Sequence, residues 1–171
     1  MSKTVRVAGG QGFWGDSLDA PRQQVENGPV DYLMLDYLAE VTMSILQKQK
    51  ERDPRLGYAR DFVGAMESVL PAVVDRGVRV IANAGGVNPA GCADAIREMA
   101  ASRGASLRIG VVSGDDLLPR IDELMAQGHS LAHMETGEPL AGLHVGQRVA
   151  LGDELVDARE QVVAAHHADA Q

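Results

Sequence analysis

The fold is decided near the amino terminus by residues 4–16, whose sequence is TVRVAGGQGFWGD. Residues 4–8 are rich in valine and are followed by the glycine pair 9–10, so they predict a short strand that ends at a turn. A helix is expected over 19–27, because Asp19 is a good N-cap residue and a proline lies in the first turn. A strand, a glycine-rich loop and a helix in succession are typical of the first unit of an α/β domain.

The alternation of strand and helix signals continues along the chain. Further strands are predicted over 31–35, 78–82 and 107–112, and the segments between them have the apolar spacing of helices. These helices are expected from Leu38, from Tyr58 with a kink or break at Pro71, from Pro89 after the N-cap Asn88, and over 117–126. Because the strands are almost uniformly apolar, we expect helices on both faces of the sheet. The predicted fold class is α/β, a Rossmann-like three-layer α/β/α arrangement with a short, mostly parallel sheet.

Composition excludes several classes of function. The chain has 171 residues, the size of one domain, and a formal charge of −8 from 16 basic and 24 acidic residues. That balance argues against a nucleic-acid partner, which a basic surface would be needed to bind. No apolar run approaches the roughly 18 residues that span a bilayer, so we expect no membrane association and a cytoplasmic location. The single cysteine, Cys92, is expected to be a buried small hydrophobic residue rather than a reactive thiol.

Four loops follow the predicted strands, at 9–16, 36–42, 83–89 and 113–116, and all are rich in glycine, asparagine or carboxylates. The carboxyl ends of parallel strands lie at one edge of a sheet, where ligands of open α/β folds bind. Any one of these loops could be ordinary turn chemistry. Their shared position predicts one small-molecule site.

The first loop has the spacing of a dinucleotide fingerprint, with Gly10, Gly12 and Gly15 in the pattern GxGxxG. Such a fingerprint requires a helix to begin at the loop, whereas the helix start here is expected only near residue 19. We therefore expect neither NAD nor FAD. Phe13 and Trp14 would instead form an apolar wall for an acyl or isoprenoid group, so Gly10, Gly12, Phe13 and Trp14 are candidate substrate-binding residues; Trp14 as a plug in the core is the alternative.

The third loop is the better candidate for an anion site. Gly85 and Gly86 would let a ligand approach the backbone, and the helix after Asn88 would direct its positive end toward a carboxylate or phosphate. Asn83, Gly85, Gly86 and Asn88 are the candidate substrate-binding residues of this loop. No lysine or arginine lies in it, so backbone amides or a metal would have to bind the anion.

Carboxylates in the loops are candidates for the chemistry. Asp36, Glu40 and Asp115 are the predicted catalytic residues, because neighbouring carboxylates can divide the roles of general acid and base. A helix starting near Asp36 would place Glu40 on the same side, four residues later. Binding of Mg²⁺ is the alternative role for these oxygens, and helix capping is the alternative for Asp115. The sequence leaves the metal and any other cofactor unknown.

Several segments together resemble the acyclic terpene utilisation family, formerly a domain of unknown function. The resemblance rests on residues 9–16 (GGQGFWGD), 31–46 (DYLMLDYLAEVTMSIL), 53–59 (DPRLGYA), 81–89 (IANAGGVNP), 114–118 (GDDLL) and 136–140 (TGEPL). These segments follow one another in order over about the first 140 residues. The resemblance implies a bacterial protein that degrades branched acyclic isoprenoids such as citronellol and geraniol through acid or CoA-thioester intermediates. A lyase- or hydratase-like step is the reaction that it suggests.

Chains of this family are longer and continue through further strand and helix units. The resemblance is expected to fade after Ala141, which divides the chain into a terpene-utilisation-like α/β domain over 1–142 and a divergent tail over 143–171. A truncated or short version of the family domain is therefore expected. A short sheet would leave apolar surface in need of cover. We accordingly expect a small-molecule acyl or isoprenoid substrate, and either a homo-oligomer or a partner chain that covers the sheet. A non-catalytic binding or assembly module and a Rossmann nucleotide binder are the alternative functions.

Overall fold

A computed structural model describes residues 4–132 and 136–137 of the chain. Three parallel strands form one sheet in the order β1-β2-β3, with β1 at Val7–Gln11, β2 at Tyr32–Leu35 and β3 at Arg79–Ala82. The helices are α1 (Ala20–Asn27), α2 (Glu40–Arg52), α3 (Asp61–Arg76), α4 (Pro89–Ser102) and α5 (Ile121–Ala126), with a 3₁₀ turn at Leu118–Arg120. The α/β class and the short parallel sheet are confirmed. The three-layer, Rossmann-like detail stays a prediction.

The core lies on one face of the sheet. Leu33 and Leu35 of β2 are 0% and 2% exposed, and they belong to an apolar cluster to which α1, α3 and α4 contribute. Ala8 of β1 and Val80 of β3 pair in register with Leu33, so this face presents a continuous apolar row to the helices. The buried helical members of the cluster are Val25, Met66, Val69, Leu70, Ala72, Ile96 and Met99.

The opposite face of the sheet is more open than the uniform apolar strands indicated. Burial alternates along β2, and Met34 is 38% exposed between two buried leucines. Val7 of β1 is 60% exposed. Among the described residues, these positions therefore lack the expected cover, and Arg79 of β3, in register with Tyr32 of β2, adds a charged residue to the same face.

Four sequence predictions need correction. Residues 107–112 form no strand, and Val111 and Val112 are 44% and 46% exposed; local apolar character cannot make a strand without a pairing partner. The helix expected from Tyr58 begins at Asp61 and continues through Pro71, whose neighbours Leu70 and Ala72 are buried and hold the helix in place. β1 extends through the glycine pair to Gln11, with an irregularity in register between Gly9 and Gln11. The strand had been predicted to end at those glycines.

The start of α4 agrees with the prediction. Asn88 caps the helix by accepting a hydrogen bond from the backbone N–H of Gly91, and Pro89 takes the first helical position. Cys92 is buried on this helix at 5% exposure, as expected. Within the described residues, every helix is too short or too polar to cross a membrane. The predicted tail over 143–171 lies outside the described part of the chain.

Candidate functional site at the carboxyl edge of the sheet

Two of the predicted site residues meet where β2 and β3 end. The amide of Asn83 donates a hydrogen bond of 2.7 Å to Oδ1 of Asp36, which also accepts one of 3.2 Å from the backbone N–H of Leu38. Asp36 is exposed to solvent, and Asn83 is half-buried. Parallel strands in register bring these residues together across 47 positions of sequence. The result is an exposed carboxylate in a fixed orientation.

The same two residues belong to a closed circuit of hydrogen bonds with Gln11 and Tyr37. The backbone N–H of Tyr37 donates to Oδ1 of Asn83 at 2.8 Å, and its phenolic O–H donates to Oε1 of Gln11 at 2.9 Å. The backbone N–H of Asp36 donates to the carbonyl of Gln11 at 3.0 Å and completes the circuit. We call Gln11, Asp36, Tyr37 and Asn83 the carboxyl-edge network. It links the ends of all three strands.

Tyr37 anchors this network in the protein interior. It is 0% exposed, and its ring packs edge-on against Phe62 of α3 with centroids 5.7 Å apart. Burial raises the pKa of the Tyr37 phenol far above its ordinary value, with a smaller effect from the nearby negative charge of Asp61. The phenol therefore remains a hydrogen-bond donor at every physiological pH.

The β1 loop, residues 12–18, is held by hydrogen bonds within the loop and by one bond to α3. The Asp16 carboxylate accepts hydrogen bonds from the backbone N–H of Ser17 at 2.7 Å and of Gly12 at 3.0 Å, and these two bonds lower its pKa. The indole N–H of Trp14 donates to Asp61 at the start of α3 at 2.9 Å. Trp14 is partly buried against the core, whereas Phe13 is 61% exposed. Trp14 thus combines packing with a fixed orientation, and Phe13 is free to contact a ligand.

Gly10 of β1 and Gly12 of the β1 loop have different surroundings. A side chain at Gly10 would collide with Leu33, Leu35 and the backbone of Pro21, so this glycine permits close packing of strand and helix. A Cβ at Gly12 would only touch the Asp16 carboxylate at 3.6 Å. Because α1 begins only at Ala20, its amino terminus does not directly follow the GxGxxG glycines as it would in a pyrophosphate cradle. The geometry offers no support for a nucleotide at this loop.

The loop from Asn83 to Asn88 is largely engaged within the protein. The backbone N–H of Val87 donates to Gly57 and that of Asn88 donates to Gly85. The Asn88 amide donates to the carbonyls of Pro54 at 3.2 Å and Leu56 at 2.9 Å, in addition to capping α4. These contacts give Asn88 a structural role, and its proposed contact with substrate stays a prediction.

The glycine pair of this loop is closely packed. An added Cβ at Gly85 would lie 2.9 Å from Pro89, and one at Gly86 would meet Leu46 of α2 and the Gly57 carbonyl. Gly86 has φ +49°, in the left-handed region that favours glycine. The pair therefore allows α2, α4 and the 53–59 loop to meet at the carboxyl edge.

The other two predicted catalytic residues have a different relation to the network. Glu40 is the first residue of α2, so the helix begins four residues later than the proposed pairing of Asp36 with Glu40 assumed. Asp115 follows a segment that forms no strand, which removes the reason for placing it at the sheet edge. Among the described residues, no group of three or more histidine, cysteine, aspartate or glutamate side chains could hold a metal ion. The catalytic roles of Glu40 and Asp115 stay predictions.

Two cavities lie away from this edge and contain none of the predicted site residues. One, of about 190 Å³, lies between α1 and α3 near Val25 and Ser68. The other, of about 210 Å³, lies at the amino end of the sheet near Tyr32 and Arg79. We place the candidate site at the carboxyl edge despite these cavities, because that edge combines an exposed carboxylate with a buried polar network.

Comparison with known protein families shows which family the chain belongs to. Residues 5–165 match the model described as acyclic terpene utilisation family protein AtuA. The chain belongs to the acyclic terpene utilisation family. No curated protein gave a significant match, and neither did any solved structure. The family match continues beyond Ala141, where the resemblance had been expected to fade, while the domain division at 142 stays a prediction.

Two members of the network in this terpene-utilisation protein were not among the predicted site residues. Gln11 and Tyr37 lie within segments that carry the family resemblance, but neither was singled out. The available signal was local: Gln11 is a polar residue directly after the glycine pair 9–10, and Tyr37 immediately follows the candidate carboxylate. Because a buried polar side chain needs a partner, the burial of Gln11 and Tyr37 accounts for their hydrogen bond, but the sequence did not show that burial.

Proposed function

We propose that this family member binds an acid or acyl-CoA intermediate of a branched acyclic isoprenoid, of the citronellol or geraniol type, at the carboxyl-edge network. Family membership supports the substrate class. The fixed, exposed carboxylate of Asp36 supports the position of the chemistry, and it is the single observation on which the site assignment depends. The reaction that we propose is lyase- or hydratase-like.

Asp36 is suited to move a proton in such a step. Its Oδ1 accepts the bonds from Asn83 and Leu38, while its Oδ2 accepts none from the described residues and is available to a ligand. In a hydration, Oδ2 would take a proton from water as the water oxygen bonds to the β-carbon of an enoyl group. The same proton would then go to the α-carbon, so the carboxylate is regenerated and water is added across the double bond.

Apolar side chains beside the network are suited to the hydrocarbon part of such a substrate. Phe13 and Leu18 of the β1 loop are both 61% exposed. We propose that Phe13 contacts the branched chain while Trp14, fastened to Asp61, keeps the loop in position.

Substitution of the carboxylate tests the proposal. Asp36→Asn should lower turnover of a citronellol- or geraniol-derived enoyl-CoA by about 100-fold or more, the usual effect of losing a general base, with little change in the melting temperature. Glu40→Gln tests the second predicted catalytic residue in the same assay. Asp75→Asn is the matched control, because Asp75 is an exposed carboxylate near the far end of α3. Equal turnover of the wild type and the Asp36→Asn variant would refute the assignment.

A second proposal concerns assembly. We propose that the open face of the sheet, which includes Val7 and Met34, is covered by a second copy of the chain. Met34 pairs in register with Gly9 and Ile81, so these three residues form an apolar row across the face. Two copies of the chain could pack such rows against each other. Sedimentation should show a dimer that Met34→Lys dissociates. Val74→Lys, at an exposed position of α3, should leave it intact, and a monomeric wild type would exclude the proposal.

A further inference from the structure

Gln11 contains a buried polar atom without a hydrogen-bond partner in the described part of the chain. The residue is 6% exposed and ends β1 at the carboxyl-edge network. Its Oε1 accepts the hydrogen bond from the Tyr37 phenol. Among the described residues, Nε2 of Gln11 is the buried side-chain nitrogen or oxygen atom for which no hydrogen bond is found. This places an unsatisfied amide at the edge where the candidate site lies.

One atom of the carboxamide lacks a partner among the described residues in either orientation of the amide, and with Oε1 bonded to Tyr37 that atom is the donor Nε2. If its nitrogen and oxygen were exchanged, the nitrogen would face the Tyr37 oxygen and the oxygen would be left without a partner. A buried amide that lacks one bond is unfavourable compared with an apolar side chain of similar shape. Packing alone therefore does not explain a glutamine at this position.

Gln11 lies next to Asp36, the carboxylate at which the proposed function places the ligand. Its backbone carbonyl accepts a bond from the Asp36 N–H, so the residue adjoins the candidate catalytic carboxylate. A primary amide whose oxygen is already occupied can offer an N–H to an acceptor. The acyl ligand contains such an acceptor, the oxygen of its carboxylate or thioester carbonyl.

We propose that Gln11 is a specificity-determining residue that donates its Nε2 hydrogen to the acyl oxygen of the ligand, an inference that rests on the proposed function. Tyr37 holds the other end of the carboxamide and orients the donor. In the hydration described above, the acyl oxygen gains negative charge when the β-carbon is attacked. A donor at that oxygen would stabilise the charge as it develops.

Binding measurements on the whole chain test this inference. The probes are the CoA thioester of the citronellol-derived acid and the matching CoA thioether, in which a methylene group replaces the acyl carbonyl. Gln11→Met preserves the length of the side chain and removes both polar atoms. It should bind the thioester at least about 10-fold more weakly, since an unpaired partner in a site built for a hydrogen bond typically discriminates by that factor or more. Its affinity for the thioether should not change.

Controls separate this inference from its alternatives. Gln47→Met alters a glutamine on α2 that bonds to Glu51, and it should leave both affinities unchanged. Thioester binding by Gln11→Met at the wild-type affinity would overturn the inference while leaving the proposed function intact. A wild type that binds no thioester would reject the proposed function and the role of Gln11 together. A much lower melting temperature of Gln11→Met, with equal affinity, would assign Gln11 a purely structural role, for example through a buried water.

Discussion

Trp14 and Asp61 are joined by a hydrogen bond of 2.9 Å from the indole nitrogen to a carboxylate oxygen, across 47 residues of sequence. The bond connects the β1 loop to the first turn of α3. It explains how a loop rich in glycine keeps a defined position beside the carboxyl-edge network. The network and the loop are thus attached to the same helix, because Phe62, the next residue of α3, packs against Tyr37.

Loss of this bond should loosen the β1 loop. Trp14→Phe retains an aromatic ring and removes the donor, so we expect a loss of about 1–2 kcal/mol in the free energy of unfolding. Hydrogen exchange at the backbone amides of residues 12–18 should also become faster. Phe13→Ala is the control, because the side chain is 61% exposed and its removal should change stability by less than about 0.5 kcal/mol. Equal exchange in the wild type and in Trp14→Phe would contradict this role of the bond.

The packing of Gly86 predicts a large effect of one methyl group. Gly86→Ala should destabilise the protein by about 2–4 kcal/mol, because φ is +49° and the new Cβ would lie 2.9 Å from the Gly57 carbonyl. Gly9→Ala is the matched control, since its Cβ would meet no described atom within 4 Å. Chemical denaturation of both variants measures the difference. Similar midpoints for the two would show that the loop adapts to the added group.

Asn88 should contribute to stability through both ends of its amide. Asn88→Ala removes the cap of α4 and the two bonds to the 53–59 loop, so we expect a loss of about 2 kcal/mol. Asn88→Ser preserves a capping oxygen and removes only the donors, and it should lose about half as much. Thermal or urea unfolding distinguishes the two variants. A serine variant as unstable as the alanine variant would mean that capping contributes little.

The start of α4 was the helix start that local chemistry predicted in detail, whereas α3 begins at Asp61 and not at Tyr58. The Asn88–Pro89 start of α4 was correct because the cap and the helical φ of proline depend on adjacent residues. The strand expected over 107–112 was wrong because a strand depends on a neighbour distant in sequence, which apolar residues alone do not specify. Of the kink or break expected at Pro71, the break is not found, since packing of its buried neighbours outweighs the local cost of proline.

The candidate site was predictable only as far as topology determines it. The rule that strand ends meet at one edge placed Asp36 beside Asn83. In the structure, Nδ2 of Asn83 lies 2.7 Å from Oδ1 of Asp36. It could not reveal that Tyr37 turns into the core and bonds to Gln11, because side-chain direction after a strand depends on the exact end of that strand. The helical argument for pairing Asp36 with Glu40 was wrong, because α2 begins at Glu40 and the two are not on consecutive turns of a helix; the catalytic role of Glu40 stays a prediction.

Asp53 and Arg55 predict a pH dependence of stability at acid pH. Hydrogen bonds from the Arg55 side chain and backbone lower the pKa of Asp53 to about 2. A carboxyl whose pKa is depressed in the folded state contributes stability that is present above its unfolded value, near 3.8, and is lost as the pH falls toward 2. Asp53→Asn should therefore have a shallower fall in melting temperature than the wild type between about pH 4 and pH 2. High salt should reduce the difference, because Arg55 is exposed and Asp53 is only partly buried.

Burial of Cys92 should protect it from alkylation. Desolvation raises the pKa of the thiol to about 11, and the side chain is 5% exposed. At pH 8 almost none of it is thiolate, the form that reacts. Iodoacetamide should label the native chain at least about 100-fold more slowly than the chain in denaturant, as measured by mass spectrometry. Rapid labelling of the native chain would indicate that α4 opens.

The circuit of Gln11, Asp36, Tyr37 and Asn83 has a consequence for the order of events during folding. Each of its bonds joins residues from different strand ends or from the segment between them, so no single strand–helix unit can assemble the site. A chain with one strand out of place would lose the orientation of Asp36 even if every helix had formed. Competence to bind a ligand should therefore arise together with the last step of sheet formation, and a bound ligand would stabilise the completed sheet selectively over every partly folded form.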